Sequence, residues 1–134
     1  MTLDEYRILH SKIIEQYQFI EFHLEGLFAL MQGQGNNFEE LARRVENDAM
    51  GELIRKVRFL VKEYKYQNII TKQDFNDLDK IRDDRNYYCH ENFLSNITDN
   101  YKIDRKTNIN DDLNIAINMN SKLKQAFKLI RIKN

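Results

Sequence analysis

The chain has 134 residues, the size of one domain, and its 21 basic and 21 acidic side chains cancel in charge. That balance excludes the strongly basic composition of a protein that binds nucleic acid by bulk electrostatics, so any such contact must come from a local patch. A single cysteine excludes an intrachain disulfide framework. Without a signal peptide or a run of ~20 apolar residues, we expect a cytoplasmic protein with no membrane contact.

The first predicted helix covers about residues 4–31. The chain has no proline and only 4 glycines, so few positions force a break and long helices are favoured. Side chains of this segment form a seam at a/d-like spacing, which predicts a face packed inside a helical bundle. The seam consists of Tyr6, His10, Ile13, Tyr17, Ile20, Leu24, Leu27 and Met31. We interpret His10 as a hydrogen-bonded polar residue of the core or of an interface.

The second predicted helix covers about residues 38–66, with Asn37 as its N-cap. Gly51 predicts a kink within it, and Asp48 a second cap. Its apolar face carries Leu53, Val57, Leu60 and Val61. Its other face is basic and is either an ordinary solvated surface or one side of an RNA groove. That face carries Arg55, Lys56, Arg58, Lys62 and Lys65.

The third predicted helix runs from Thr71, placed at capping distance from Asp74, to about residue 93. Residues 95–109 lack periodicity and are predicted to form a loop. The last helix covers about residues 111–131. Its core-facing residues are Leu113, Ala116, Met119, Leu123, Phe127 and Ile130. The sequence therefore predicts a single all-α domain over residues 1–134, a four-helix or five-helix bundle.

Most chemical motifs are absent from the sequence. It has no Gly-rich phosphate loop and no Cys/His cluster with zinc spacing. The five aspartates between positions 74 and 84 scatter around their helix. We therefore expect no metal site and no cofactor.

Polar residues on the third helix are the exception. A helical wheel at ~100° per residue places Arg85 in the middle of the apolar face, with Arg82 also inside it. Asn86 and His90, four residues apart, form an adjoining polar edge. An arginine on a core face is costly unless its guanidinium is paired or reaches water. Either Arg85 pairs with an acid of a neighbouring helix, such as Glu21 or Glu25, or it lines a pocket or interface that holds an anion.

The run Arg85-Asn86-x-x-x-His90 resembles the R-x(4–6)-H motif of HEPN domains, in which the residue after the arginine is often Asn, Asp or His. HEPN domains are small bundles of four or five helices, and the motif lies near the end of a late core helix. The likeness extends over most of the chain in helix order, and over about residues 82–93 in specific side chains.

The resemblance implies a metal-independent endoribonuclease, a toxin or an antiphage protein, in which two copies of the motif meet at the interface of a homodimer. Arg85 and His90 would be catalytic, acting on the scissile phosphate of RNA with the 2′-OH as nucleophile, and Asn86 would support them. We assign Arg82 and Tyr87 to substrate binding, Tyr87 as a stacking partner for a base. An antitoxin protein is a further expected partner. The alternatives are a non-catalytic HEPN-like module that binds a nucleotide or a protein, and a purely structural bundle.

Two neighbours of the motif have simpler interpretations. Cys89 falls on the apolar side of the wheel and is predicted to be a buried, unreactive thiol. Tyr88 is predicted to be a core residue, whereas Tyr87 falls off the apolar face and is otherwise an ordinary exposed tyrosine.

Overall fold

A computed structural model describes residues 2–92 and 108–134, and for residues 90–92 it describes the backbone alone. Within these ranges all regular structure is helical, which confirms the predicted all-α fold. Residues 2–92 and 108–134 form five α-helices, and the third of the four predicted helices ends in a π-helical turn. The elements are α1 (Leu3–Gly33), α2 (Phe38–Val45), α3 (Met50–Glu63), α4 (Lys72–Asn86), the π turn (Tyr87–Asn92) and α5 (Ile109–Lys133).

Helix α1 is the centre of the bundle and packs against α2, α3, α5 and the π turn. It begins at a capping box in which the Thr2 hydroxyl accepts from the Glu5 amide and the Glu5 carboxylate accepts from the Thr2 amide. The predicted seam is confirmed, because all of its members except the half-buried His10 are buried. Because these buried side chains cover a wide part of the surface of α1, the helix can pack against several helices at once.

The prediction of one continuous second helix is wrong. The chain leaves helical geometry after Val45 and restarts at Met50. Asn37 precedes α2 in the left-handed region (φ 56°) and makes no side-chain cap. Asp48 does not cap α3 but pairs with Lys56, with Oδ2 at 2.6 Å from Nζ. Gly51 lies inside α3, so the break falls before the glycine that was expected to cause it.

Helix α4 begins as predicted. The Thr71 hydroxyl accepts from the Asp74 amide and the Asp74 carboxylate accepts from the Thr71 amide, which completes a capping box. Asp74 is buried and also forms an ion pair with Lys122 of α5. The start of α4 is therefore fixed both by its own cap and by a neighbouring helix.

The remaining predictions concern the second half of the chain. Predicted core residues Phe75, Leu78, Ile81 and Tyr88 are buried, while residue 93 lies outside the described ranges. Most of the predicted loop, residues 95–107, also lies outside them. Helix α5 begins at Ile109, before the predicted residue 111, because the Asn108 side chain accepts from the amides of the first turn.

The core side of α5 is largely as predicted. Ala116, Met119, Leu123 and Ile130 are buried, and Leu113 and Phe127 are partly buried against the same core. No helix in the described ranges has both the length and the apolar character needed to cross a membrane.

Candidate active site at the end of α4

Arg85 lies in the last turn of α4, where that helix faces α1. Its Nε donates to Oε1 of Glu21 at 3.3 Å, and the two side chains are 27% and 18% exposed. The arginine is therefore at the edge of the core, which is how the structure avoids the cost of a buried unpaired charge. Of the two alternatives given from the sequence, the structure therefore has the first, in which Arg85 pairs with an acid of a neighbouring helix, and that acid is Glu21. The ion pair uses Nε, which leaves the terminal amino groups of the fork for a further acceptor.

The surroundings of Glu21 are acidic. Burial raises the pKa of Glu25, and the negative charges of Glu21, Glu46 and Asp48 raise it further. Arg85 therefore faces a region of α1 where carboxylates repel each other. Such a region favours a cation, which explains why an arginine is accommodated at this position of α4.

Arg82 does not lie inside the core as the wheel suggested. Its side chain is 41% exposed and its guanidinium pairs with Asp83 at 3.1 Å. The aliphatic stem passes over α3 at Gly51, where an added Cβ would stand 3.0 Å from Arg82 Cδ. A long side chain can cover a neighbouring helix while its charged end stays in water. Gly51 therefore provides room for Arg82 and does not act as a kink.

The rest of the motif enters the π turn. Asn86 is exposed, and Tyr87 is partly buried against the core with its ring edge toward Tyr88 at 5.2 Å between centroids. Tyr87 is thus more buried than the α-helical wheel suggested. The backbone of His90 belongs to this turn, and its side chain lies outside the described residues.

The π turn changes the geometry of the motif. Hydrogen bonds of a π-helix step five residues back, compared with four in an α-helix, so each turn holds more residues. Positions after Tyr87 therefore depart from a wheel drawn at ~100° per residue. Short π segments occur frequently at functional sites, and here the π turn contains four of the six residues from Arg85 to His90.

Two other helices hold the π turn in place. Nε2 of His10 on α1 lies 2.7 Å from the carbonyl oxygen of Tyr88, which can only accept, so the ring nitrogen donates. The Tyr88 hydroxyl donates to Oδ2 of Asp112 on α5 at 2.5 Å. The sequence signal for His10 was its place in an otherwise apolar seam, which matches its interpretation as a hydrogen-bonded polar residue. Nothing in the sequence singled out Asp112.

Cys89 adjoins the Arg85–Glu21 pair. Burial raises the pKa of the Cys89 thiol, the nearby Arg85 charge opposes that rise, and Glu21 adds to it. The residue is half-buried, less than predicted. A thiol with a raised pKa has little thiolate at neutral pH and is a poor nucleophile, in line with the predicted unreactive role.

No group of three or more His, Cys, Asp or Glu side chains in the described ranges could hold a metal ion. Among the described residues, the chemistry of the site is therefore that of a partly exposed guanidinium, an exposed amide and a fixed backbone turn. Such groups can bind and orient an anion such as a phosphate.

Comparison with known proteins adds no relative. No family model, no curated protein and no solved structure matches this chain.

Proposed function

We propose that this chain is a metal-independent endoribonuclease of the HEPN type that acts as a homodimer, with Arg85 and His90 catalytic and Asn86 in support. The observation that carries the proposal is Arg85 itself: a guanidinium in the motif, partly exposed at the edge of the core and oriented by Glu21 at 3.3 Å. A preoriented, partly desolvated cation is what a developing negative charge on a phosphate requires.

The proposed reaction is a transesterification within RNA. The 2′-oxygen attacks the adjacent phosphorus, the bond from phosphorus to the 5′-oxygen breaks, and the products carry a 2′,3′-cyclic phosphate and a 5′-hydroxyl. One proton leaves the 2′-OH and one is delivered to the departing 5′-oxygen, a task that suits a histidine because it titrates near neutral pH. Arg85 balances charge on the phosphate oxygens, so the reaction needs no metal.

A second copy of the chain is part of the proposal. If the motifs of two chains meet at one cleft, each chain supplies an arginine guanidinium and a histidine, one such pair on either side of the phosphate. In this proposal Arg82, with its guanidinium at the surface, and Tyr87 contact the RNA beside the reacting group. In the cell, the proposed ribonuclease would act as a toxin or an antiphage protein, with an antitoxin protein as a partner.

The test is cleavage of RNA in excess chelator by the wild type, Arg85→Ala and His90→Ala. Each substitution is expected to lower the rate about 10²-fold or more. Arg85→Lys should also be slow, because lysine keeps the charge and loses the planar fork. Equal cleavage by all four proteins would sink the proposal.

A matched control is available on α2. Arg44 pairs with Glu40 at 3.0 Å, but both side chains are largely exposed. Arg44→Ala removes the same side chain from an ion pair and should leave cleavage unchanged. A thermal melt of each variant separates loss of chemistry from loss of fold.

The Glu21 contact also favours a second candidate, a purely structural bundle, because there Arg85 serves only as an ion pair that joins α4 to α1. In that case the wild type has no nuclease activity and Arg85→Ala lowers the free energy of unfolding without affecting any ligand. For a non-catalytic HEPN-like module that binds a nucleotide or protein, the wild type also lacks nuclease activity, and Arg85→Ala weakens ligand binding or dimer assembly.

A further inference from the structure

A groove of about 500 Å³ opens between α3 and α4, at the end where the two helices are joined. Val61, Ile70 and Phe75 form its floor and are almost fully buried. A pocket of this size is in the range of sites that bind small molecules or single residues of a polymer. It does not include Arg85 or the π turn.

The rim of the groove is cationic. Arg58 pairs with Asp79 at 2.7 Å and stands over the Phe75 ring at 5.1 Å, and both members of the pair are partly exposed. Lys62 and Lys72 are exposed and form no ion pair with another described residue. In a chain with zero net charge, this surplus is local, and it attracts an anion.

The position of Lys72 also favours a bound anion. It is the first residue of α4, where the positive end of the helix dipole disfavours a cation. The charge therefore does not stabilise the helix that carries it. An anion held there would interact favourably with the lysine, while the helix end itself is already capped by Thr71 and Asp74.

An aromatic side chain accompanies these cations. Phe59 of α3 is 62% exposed, and Lys62, three residues further along the helix, is its neighbour on the surface. Arg55, four residues before it, is the neighbour on the other side and is held in an ion pair with Glu52. An exposed ring beside a cation such as Lys62 is an arrangement with which proteins hold single-stranded nucleic acid, the ring stacking on a base and the cation contacting a phosphate.

We infer that the groove and Phe59 together bind single-stranded RNA next to the candidate active site. Gln67 and Asn76, which also line the groove, offer donors and acceptors to an unpaired base. Asn76 and Asn86 lie about 15 Å apart along α4, at ~1.5 Å per residue, so one strand can reach both. The inference rests on the proposed function for its substrate.

The test is the binding of a labelled 2′-O-methyl RNA of about twelve nucleotides, a length within the range of single-strand sites. This RNA lacks the nucleophile, so the wild-type chain can be used. Lys62→Ala/Lys72→Ala should weaken binding about tenfold and flatten the dependence of log K on log salt by about 0.7 for each phosphate that the variant no longer neutralises. Phe59→Ala should weaken binding roughly tenfold with the salt slope unchanged, because stacking releases no counterion.

Matched controls carry equal changes elsewhere. Lys12→Ala/Lys128→Ala removes two exposed lysines from α1 and α5, and Phe22→Ala removes a phenylalanine of similar exposure from α1. Both should leave affinity and salt slope as in the wild type. Melting temperatures should stay close throughout, since every altered side chain is exposed.

The outcomes separate the two proposals. RNA binding that depends on Lys62, Lys72 and Phe59, without cleavage of natural RNA, supports the groove and contradicts the ribonuclease. Cleavage of natural RNA, with binding unaffected by these changes, contradicts the groove alone. Displacement of the RNA by a polyglutamate peptide at equal concentration would also overturn the inference, because it would show a site for any polyanion.

Discussion

Arg85 shows how one side chain can satisfy two opposing demands. Its place on the apolar side of α4 gives it the surroundings that strengthen electrostatic interactions, and its edge position spares it full desolvation. Glu21 meets the requirement for a partner through a single nitrogen of the fork. The residue is therefore held in a defined orientation and still has donors for another anion.

Cys89 offers a test of these surroundings that needs no substrate. Its pKa is raised mainly by burial, Arg85 lowers it and Glu21 raises it. The alkylation rate of Cys89 against pH should therefore have its midpoint above that of an ordinary thiol, about 8.5. Arg85→Ala removes the lowering charge and should move the midpoint up, whereas Glu21→Gln removes a raising charge and should move it down.

The midpoint of this profile reports the pKa, and its plateau reports access of the reagent, so the two effects can be separated. Arg44→Ala, which alters a distant ion pair, should leave the midpoint in place. A lower midpoint in Arg85→Ala would contradict the placement of the guanidinium beside the thiol.

At the scale of elements, the π turn is the segment that the rest of the fold supports from two sides. A π-helical segment is rare and persists where surrounding contacts stabilise it. His10 from α1 and Asp112 from α5 supply two such contacts through Tyr88. These two residues are positioning residues, since they act on the motif through the backbone and side chain of Tyr88.

His10→Ala is expected to lower the free energy of unfolding by about 1 kcal/mol, the typical worth of one hydrogen bond. Amide hydrogen exchange should rise at residues 87–92 more than in α3. If the proposed function holds, the cleavage rate at saturating RNA should fall while KM changes little, because the groove on α3 is untouched.

His23→Ala is the matched control. His23 lies on the same helix as His10, on the side that faces α5. Burial lowers the pKa of His23, and the positive charge of Lys124 on α5 lowers it further. Its removal should leave exchange in the π turn unchanged. Uniform exchange across the bundle in His10→Ala would contradict a local role for His10.

On the scale of the whole molecule, the net charge is zero, but acidic and basic side chains are concentrated in different regions. Carboxylates cluster around Glu21 and Glu25, while the charged side chains that line the groove between α3 and α4 are three cations, Arg58, Lys62 and Lys72, and one acid, Asp79. Helix α5 packs against α1 and also contacts α4, to which Lys122 is joined by its ion pair with Asp74. Along α4, the groove lies near the first residues and Arg85 lies in the last turn.

The proposed homodimer predicts a concentration dependence. Cleavage per chain should fall on dilution, because a site built from two chains disappears when the dimer dissociates. Sedimentation at the same concentrations should show the dimer fraction falling in parallel. Activity strictly proportional to protein concentration in a monomeric sample would contradict a composite site.

Much of the fold follows from the sequence because the relevant information is local. The seam of α1, the buried face of α3 and the Thr71 cap all rest on spacings within one or two turns. Helical periodicity determines which side chains share a face, whatever the neighbouring helix is. The motif around Arg85 stands out for the same reason, as a charged residue on an apolar face.

Other features depend on which helices become neighbours. Glu21 and Arg85 are 64 positions apart, and His10 and Tyr88 are 78 apart, so no local spacing could pair them. The passage of Arg82 over Gly51 and the contacts of the π turn with α1 and α5 likewise depend on packing. Sequence periodicity by itself determined an all-α bundle and the position of its charged motif. Only the tertiary structure decided what that motif touches, because contacts between distant residues are set by the packing of the whole bundle.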